Sequence, residues 1–159
     1  MDVRALTVRS GGKALQLRCD VTVETQNYTG TVPALWDTGA TGSAISHEVV
    51  NNFHPTPFGK ELIATPTGTK EVDTYCIDVH LPNGVNFDGL IVTESEIGTQ
   101  GLGLLIGMDI IGSGDFAVTN LNGNTVFTYR YPASGVIDFV KEANIQRIIG
   151  PKHGKGKRK

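Results

Sequence analysis

Only two of the 159 residues are cysteines, Cys19 and Cys76. That scarcity excludes a disulfide framework, and neither has a second Cys or a His at zinc-ligand spacing, so no metal site is expected. Both sit in alternating apolar segments, where buried free thiols are expected. Charge is scarce as well, at 19% of residues. Five of the 14 basic residues lie in the last eight, KHGKGKRK, which leaves residues 1–151 with nine basic against 16 acidic side chains, a net of −7. An acidic body is not a nucleic-acid surface, so no nucleic-acid partner is expected, and the basic tail at 151–159 reads as a solvated, disordered end. No apolar run approaches the ~18 residues that cross a bilayer. The opening segment MDVRALTVRSGGK lacks the apolar core of a secretory leader, which points to a cytoplasmic protein without a membrane partner. Repetition of Ala, Leu, Glu and Lys is also thin, which argues against a helical bundle.

Glycine, by contrast, is abundant, at 20 residues, alongside seven prolines. With 39% hydrophobic residues a single core is attainable, and the composition suits short strands joined by turns. Leu15, Leu17, Cys19, Val21 and Val23 alternate with polar residues through Glu24, the period of a half-buried strand. A turn at 25–30 and a returning strand at 31–36 follow, with Pro33 marking an irregular or edge position. A hairpin is expected at 61–73, its tip formed by Thr65, Pro66, Thr67, Gly68 and Thr69. Alternation resumes from Tyr75 to Leu81, and Pro82-Asn83-Gly84 signals a turn. The apolar phase then slips between Phe87 and Leu90, so Gly89 marks a β-bulge. GLGLLIGMDII reads as a buried strand ending near Ile106 and a short helical turn after Gly107. A last hairpin is expected over 116–119 and 125–131. Ser134 is placed as the cap of a helix over 136–148, whose apolar residues include Val136, Phe139, Val140 and Ala143.

Chemistry concentrates in Ala34-Leu35-Trp36-Asp37-Thr38-Gly39-Ala40-Thr41-Gly42-Ser43. An acidic residue stands at the end of a buried strand. Gly39 lets the backbone turn tightly, and the Thr38 hydroxyl is able to brace that turn. A carboxylate so placed is costly unless hydrogen-bonded, which invites a functional reading of Asp37.

The order of these segments resembles the retropepsin-like aspartic proteases, in their cellular and bacterial single-domain branch. Leu35-Trp36 before Asp37-Thr38-Gly39-Ala40, the hairpin at 65–69, and Leu105-Ile106 before Gly107-Met108-Asp109 stand as that family's motifs stand. The similarity covers about residues 15–131, and Thr41-Gly42 replaces the acidic pair of the viral members. It implies an all-β, closed-barrel domain over residues 1–132, with a short helix after Gly107, and a helical appendage over 133–150. It also implies a homodimer, since only one Asp-Thr-Gly is present and peptide hydrolysis of this kind needs two carboxylates facing one water. Asp37 would then be catalytic. Thr38 would hydrogen-bond across the dimer, and Gly39 would offer its carbonyl to a substrate N–H. Ile106 and Gly107 would pack under the loop Asp37–Ala40, and the 65–69 hairpin would close over an extended peptide. The implied substrate is a peptide or protein, and no cofactor is needed. Trp36 and Ile106 would line the neighbourhood and favour partly apolar segments.

Other chemistries fit less well. A phosphoryl-acceptor aspartate would be followed by Lys rather than Thr38. Ser43 and His47 lack a Gly-x-Ser-x-Gly elbow and read as a surface serine and a helix-edge histidine. Glycines 98, 101, 103 and 107 miss dinucleotide-loop spacing. His54, His80 and His153 are isolated. The one serious rival is a dimeric peptide-binding or scaffolding module on the same fold that does not cleave.

Overall fold

Period-two alternation builds most of the core, and the computed structural model describes residues 2–65 and 67–149. Strand β1 (Arg4–Arg9) is followed by β2 (Arg18–Glu24), β3 (Thr29–Trp36), β4 (Ala44–Ser46), helix α1 (His47–Phe53), β5 (Thr56–Thr65) and β6 (Gly68–His80). Then come β7 (Asn86–Ser95), β8 (Leu104–Ile106), the short helix α2 (Met108–Ile111), β9 (Asp115–Thr119), β10 (Val126–Tyr131) and helix α3 (Phe139–Ile149). Inward residues of successive strands meet at the centre: Val21 and Val23, Ile45, Ile77 and Val79, Val92, Leu104 and Ile106 are all buried.

Pairing closes these strands into a ring. Neighbours run β2-β3-β8-β4-β7-β6, and β6 returns to β2 through Thr22–His80, Val23–Val79 and Glu24–Asp78. The result is a six-stranded closed barrel whose interior is filled by side chains. Strand β5 lies outside the ring and pairs only with β6, as a long arm. A second, three-stranded sheet, β1-β10-β9, packs Phe116, Phe127 and Tyr129 around Trp36 at centroid distances of 5.4, 5.8 and 5.0 Å. The fold is thus all-β in its body, with a short helix after β8 and a helix at the C-terminal end.

Several boundaries differ from the sequence expectation, each for a local reason. β2 starts at Arg18 rather than Leu15, and Leu15 is 89% exposed. The preceding chain is held by buried Thr125, whose N–H donates to Gly12 O and whose Oγ1 accepts from Ala14 N, both at 2.9 Å. The arm hairpin is longer than 61–73, and its ladder continues to the Ala64–Thr69 and Thr65–Gly68 pairs. Most of the expected 65–69 tip is therefore strand, while Pro66 lies outside the described residues. The strand expected from Tyr75 is the continuation of β6. The bulge at Gly89 is present: Asp88 and Gly89 lie between the Ile77–Leu90 and Val79–Phe87 pairs, against Asp78 alone. Gly89 has φ +65°, and its N–H donates to Asp78 Oδ1 at 2.6 Å.

At the C-terminal end, α3 begins at Phe139 instead of 136, and Ser134 is not its cap. Asp138 Oδ1 accepts from Val140 N and Lys141 N at 3.0 and 3.1 Å. Ser134 instead donates its backbone N–H to Asp115 Oδ2 at 2.8 Å. The basic tail lies outside the described residues. Among those described, no helix is long and apolar enough to cross a membrane.

Candidate active site

Asp37 leaves the barrel where β3 ends. Trp36, opposite Ile106 in the parallel β3–β8 pair, is 3% exposed and turned into the core. Its indole N–H donates to Cys19 Sγ at 3.2 Å, and its ring stacks on Phe116. Trp36 and Ile106, expected to line the neighbourhood of the site and favour apolar segments there, are both spent on core packing. Cys19 and Cys76 are free but only half-buried. Burial pushes the Cys19 thiol above its ordinary value, against the opposing pull of the Trp36 hydrogen bond.

One residue beyond this anchor the chain reaches the surface. Asp37 is half-buried, and Thr38 and Gly39 are exposed. Asp37 N donates to Ile106 O at 2.9 Å, extending the ladder by one bond. The turn closes by Ala40 N on Asp37 O at 3.2 Å, and the carboxyl atom Oδ1 accepts from Gly39 N at 2.8 Å. One carboxyl oxygen is thereby pinned to its own loop.

The loop rests on the segment after β8. Met108 N donates to Ala40 O at 2.9 Å and Asp109 N to Thr41 O at 3.2 Å. Gly107 is buried so tightly that a Cβ there would stand 2.5 Å from both the carbonyl carbon and oxygen of Gly42. Side chains complete the joint. Ser43 Oγ donates to Asp109 Oδ1 at 2.7 Å and accepts from Gly107 N at 3.0 Å. Asp109 Oδ2 accepts from Ser43 N at 2.8 Å, and its Oδ1 also accepts from Ile110 N at 2.9 Å.

Asp37, Thr38, Gly39, Ala40, Ile106 and Gly107 therefore come together, although 66 residues separate Ala40 from Ile106 in the chain. Ser43 and Asp109 belong with them, although by sequence Asp109 had a place in the motif after Ile106 without a role and Ser43 read as a surface residue. Ser43, expected at the surface, is 2% exposed. The available signal was Ser43 lying just before the apolar pair Ala44-Ile45 of a buried strand, where a hydroxyl must find partners.

The arm stands apart from this loop. At its end Thr65 Oγ1 lies 3.3 Å from Thr67 Oγ1 and donates to Gly68 O at 3.0 Å, while Thr69 pairs with Ala64. Lys70 reaches from the arm to Glu96 at 3.6 Å. A cavity of about 450 Å³ opens between arm and body, lined by His47, Lys70, Val72, Asp73, Glu94 and Glu96 among others, and Asp37 is not in its wall. At its edge His47 Nδ1 meets Glu94 Oε1 at 2.5 Å, and Tyr75 Oη donates to Glu94 Oε2 at 3.2 Å. The hydrogen bond and then the charge of Glu94 hold His47 above its ordinary value.

No family model matches the chain, and no curated protein matches it in sequence. Among solved structures it is similar to the EIAV protease complexed with the inhibitor HBY-793, at 18% identity and TM-score 0.48, over 61% of this chain and 86% of that one. A retropepsin-like aspartic protease from Rickettsia conorii is similar at 13% identity and TM-score 0.47, over 81% and 94%. The protease of simian foamy virus (mac) is similar at 20% identity and TM-score 0.42, over 59% and 92%.

Proposed function

We propose that the chain is an aspartic endopeptidase that works as a homodimer, each copy supplying one Asp37. The observation that carries this reading is the setting of that carboxyl group. It stands at the outer end of a barrel strand, has one oxygen pinned by Gly39 N–H, and sits on a floor held by hydrogen bonds from Ile106 to Asp109. Such rigidity is what a group needs when it must meet a twin and a water at fixed geometry.

Two carboxyl groups roughly 3 Å apart share one proton, because both cannot ionise cheaply. The ionised member takes a proton from the water as its oxygen attacks the scissile carbonyl carbon. The protonated member gives its proton to the carbonyl oxygen. The tetrahedral diol then collapses: the newly protonated carboxyl group gives its proton to the leaving nitrogen as the C–N bond breaks, the other takes the proton of a diol hydroxyl as the C=O bond reforms, and the dyad again holds one proton. Thr38, exposed in the single chain, would bond its counterpart across the two-fold axis. The exposed Gly39 would present its carbonyl to a substrate N–H, with Ala40 shaping the turn and Ile106 and Gly107 serving as floor. The arm, with Thr65, Pro66, Thr67, Gly68 and Thr69 at its end, would cover an extended peptide and add strand-like hydrogen bonds.

The test compares the full chain with Asp37→Asn on denatured casein from acidic to neutral pH. New peptides from the wild type alone are expected. Cleavage by both proteins, or by neither, overturns the enzymatic reading. In the second case, retention of peptide by an uncleaving dimer would favour the binding-module reading instead.

A further inference from the structure

The two halves of the Asp37 floor come from distant parts of the chain, and one side-chain pair ties them together. We propose that Ser43 and Asp109 are positioning residues for the Asp37 carboxyl group, a role that rests on the proteolytic reading above and that neither residue owes to contact with substrate.

The hydrogen-bond inventory around Ser43 is complete and directional. Its hydroxyl has one proton, given to Asp109 Oδ1, and a lone pair left for Gly107 N–H. Asp109 Oδ1, which accepts from Ile110 N as well, takes the hydroxyl proton and so turns a lone pair of Ser43 Oγ toward Gly107. The Asp109 carboxylate is in turn held by Ser43 N and Ile110 N, on both sides of the joint. Gly107 is buried and packed on Gly42, and the hydrogen bond its N–H makes is the one to Ser43 Oγ. From Gly107 the path to the carboxyl group is short. Ile106 O, one residue back, receives Asp37 N, and Met108 N, one residue on, holds Ala40 O. Displacing Gly107 therefore displaces both ends of the turn that carries Asp37.

An amide at Asp109 that sets its oxygen at the Oδ1 position still accepts from Ser43 Oγ and Ile110 N and loses only the bond from Ser43 N. Ser43 Oγ then keeps its lone pair toward Gly107 N–H, so the directional part of the joint survives without the carboxylate charge. Alanine at either position leaves Gly107 N–H buried without a well-oriented partner.

The experiment uses the full chain as Ser43→Ala, Ser43→Thr, Asp109→Ala and Asp109→Asn, with labelled denatured casein as the probe. Each protein is held well above the concentration at which sedimentation shows it to be dimeric. Both alanine variants are expected to lose about 100-fold in kcat with KM nearly unchanged, the cost of a misplaced reacting group. Ser43→Thr and Asp109→Asn are expected to restore most of the rate. An unchanged kcat in both alanine variants overturns the proposal. So does a loss that follows KM, or one that vanishes once dimer content is matched. A second readout does not depend on cleavage: the carboxyl carbon resonance of Asp37 and the amide resonance of Gly107. Both should move in the alanine variants and return in Asp109→Asn. If the wild type fails to cut casein, the proteolytic reading falls, and these resonances alone decide: a stationary Asp37 signal in Ser43→Ala refutes the positioning role.

Discussion

A methyl group added at Gly107 would meet backbone, not a yielding side chain, since the Gly42 carbonyl stands 2.5 Å from the position it would take. Gly107→Ala is therefore expected to destabilise the fold by about 1–3 kcal/mol, the usual cost of overpacking, and to abolish turnover by lifting the Asp37 loop. Gly42 supplies the internal control. Nothing lies within 4 Å of its own Cβ direction, so Gly42→Ala should stay within about 0.5 kcal/mol in urea unfolding. Equal losses in both variants would show that the close approach at Gly107 is not what confines it to glycine. Cys19 offers a reactivity test at the same scale. Burial raises its thiol, so the reactive thiolate is depleted at mildly alkaline pH. Iodoacetamide at pH ~8 should label Cys19 much more slowly in the folded chain than in urea, read by peptide mass spectrometry. Trp36→Phe removes the indole N–H that opposes this rise. Labelling of Cys19 as fast in the native chain as in urea would refute the shift.

Elements differ in how much of themselves the sequence discloses. Strands with strict alternation, such as Val21 to Glu24 and Val126 to Tyr131, were readable because one face is buried and the other wet. The bulge at Gly89 was readable for the same reason, as a slip of phase. Helix α1 was readable only as a helix edge at His47, although Ser46 Oγ accepts from Val49 N at 3.2 Å and Val49 and Phe53 share its buried face. Seven residues give too little periodicity to stand out beside a three-residue strand. The cap of α3 was misplaced because Ser134 and Asp138 are both good N-cap types, and it is Asp138 Oδ1 that accepts from Val140 N and Lys141 N. Every described residue of α3 is exposed, so its helicity rests on local terms that are marginal at eleven residues. Asp138→Ala, worth about 1 kcal/mol at a cap, should thus lower the helical circular dichroism without moving the main unfolding transition. Where elements meet, charge does the joining. His47 on α1 and Tyr75 on β6 both bond Glu94 on β7. Because Glu94 raises His47, the stabilisation is full below the unfolded value near ~6.5 and is lost as pH rises through the higher folded value. The His47 ring signal should accordingly titrate at higher pH in the folded chain than in urea, and Glu94→Gln should bring the two together.

At the scale of the molecule, the barrel was foreseen through a resemblance and not through periodicity. No local pattern says that β6 returns to β2, or that β3 and β8 run parallel with partners 70 positions apart; those are long-range pairings decided by the whole core. The joint of Ser43 and Asp109 escaped notice for the same cause, because its two halves become neighbours only when the ring closes. The same logic, carried one step outward, makes the proposed active centre a property of two chains. A single copy offers one Asp37, so the dyad exists only in the dimer, and cleavage per chain must fall on dilution. Mixing separates this from a one-chain mechanism. Wild type and Asp37→Asn are unfolded together in equal amounts and refolded at fixed total concentration. Random pairing leaves about one quarter of dimers with two intact carboxyl groups, so activity should drop to about a quarter of that of wild type alone. A monomeric enzyme would keep about a half, since each wild-type chain would work unaided. The measurement needs only the ratio of two initial rates on the same casein probe, and a value at one half would rule out the shared site.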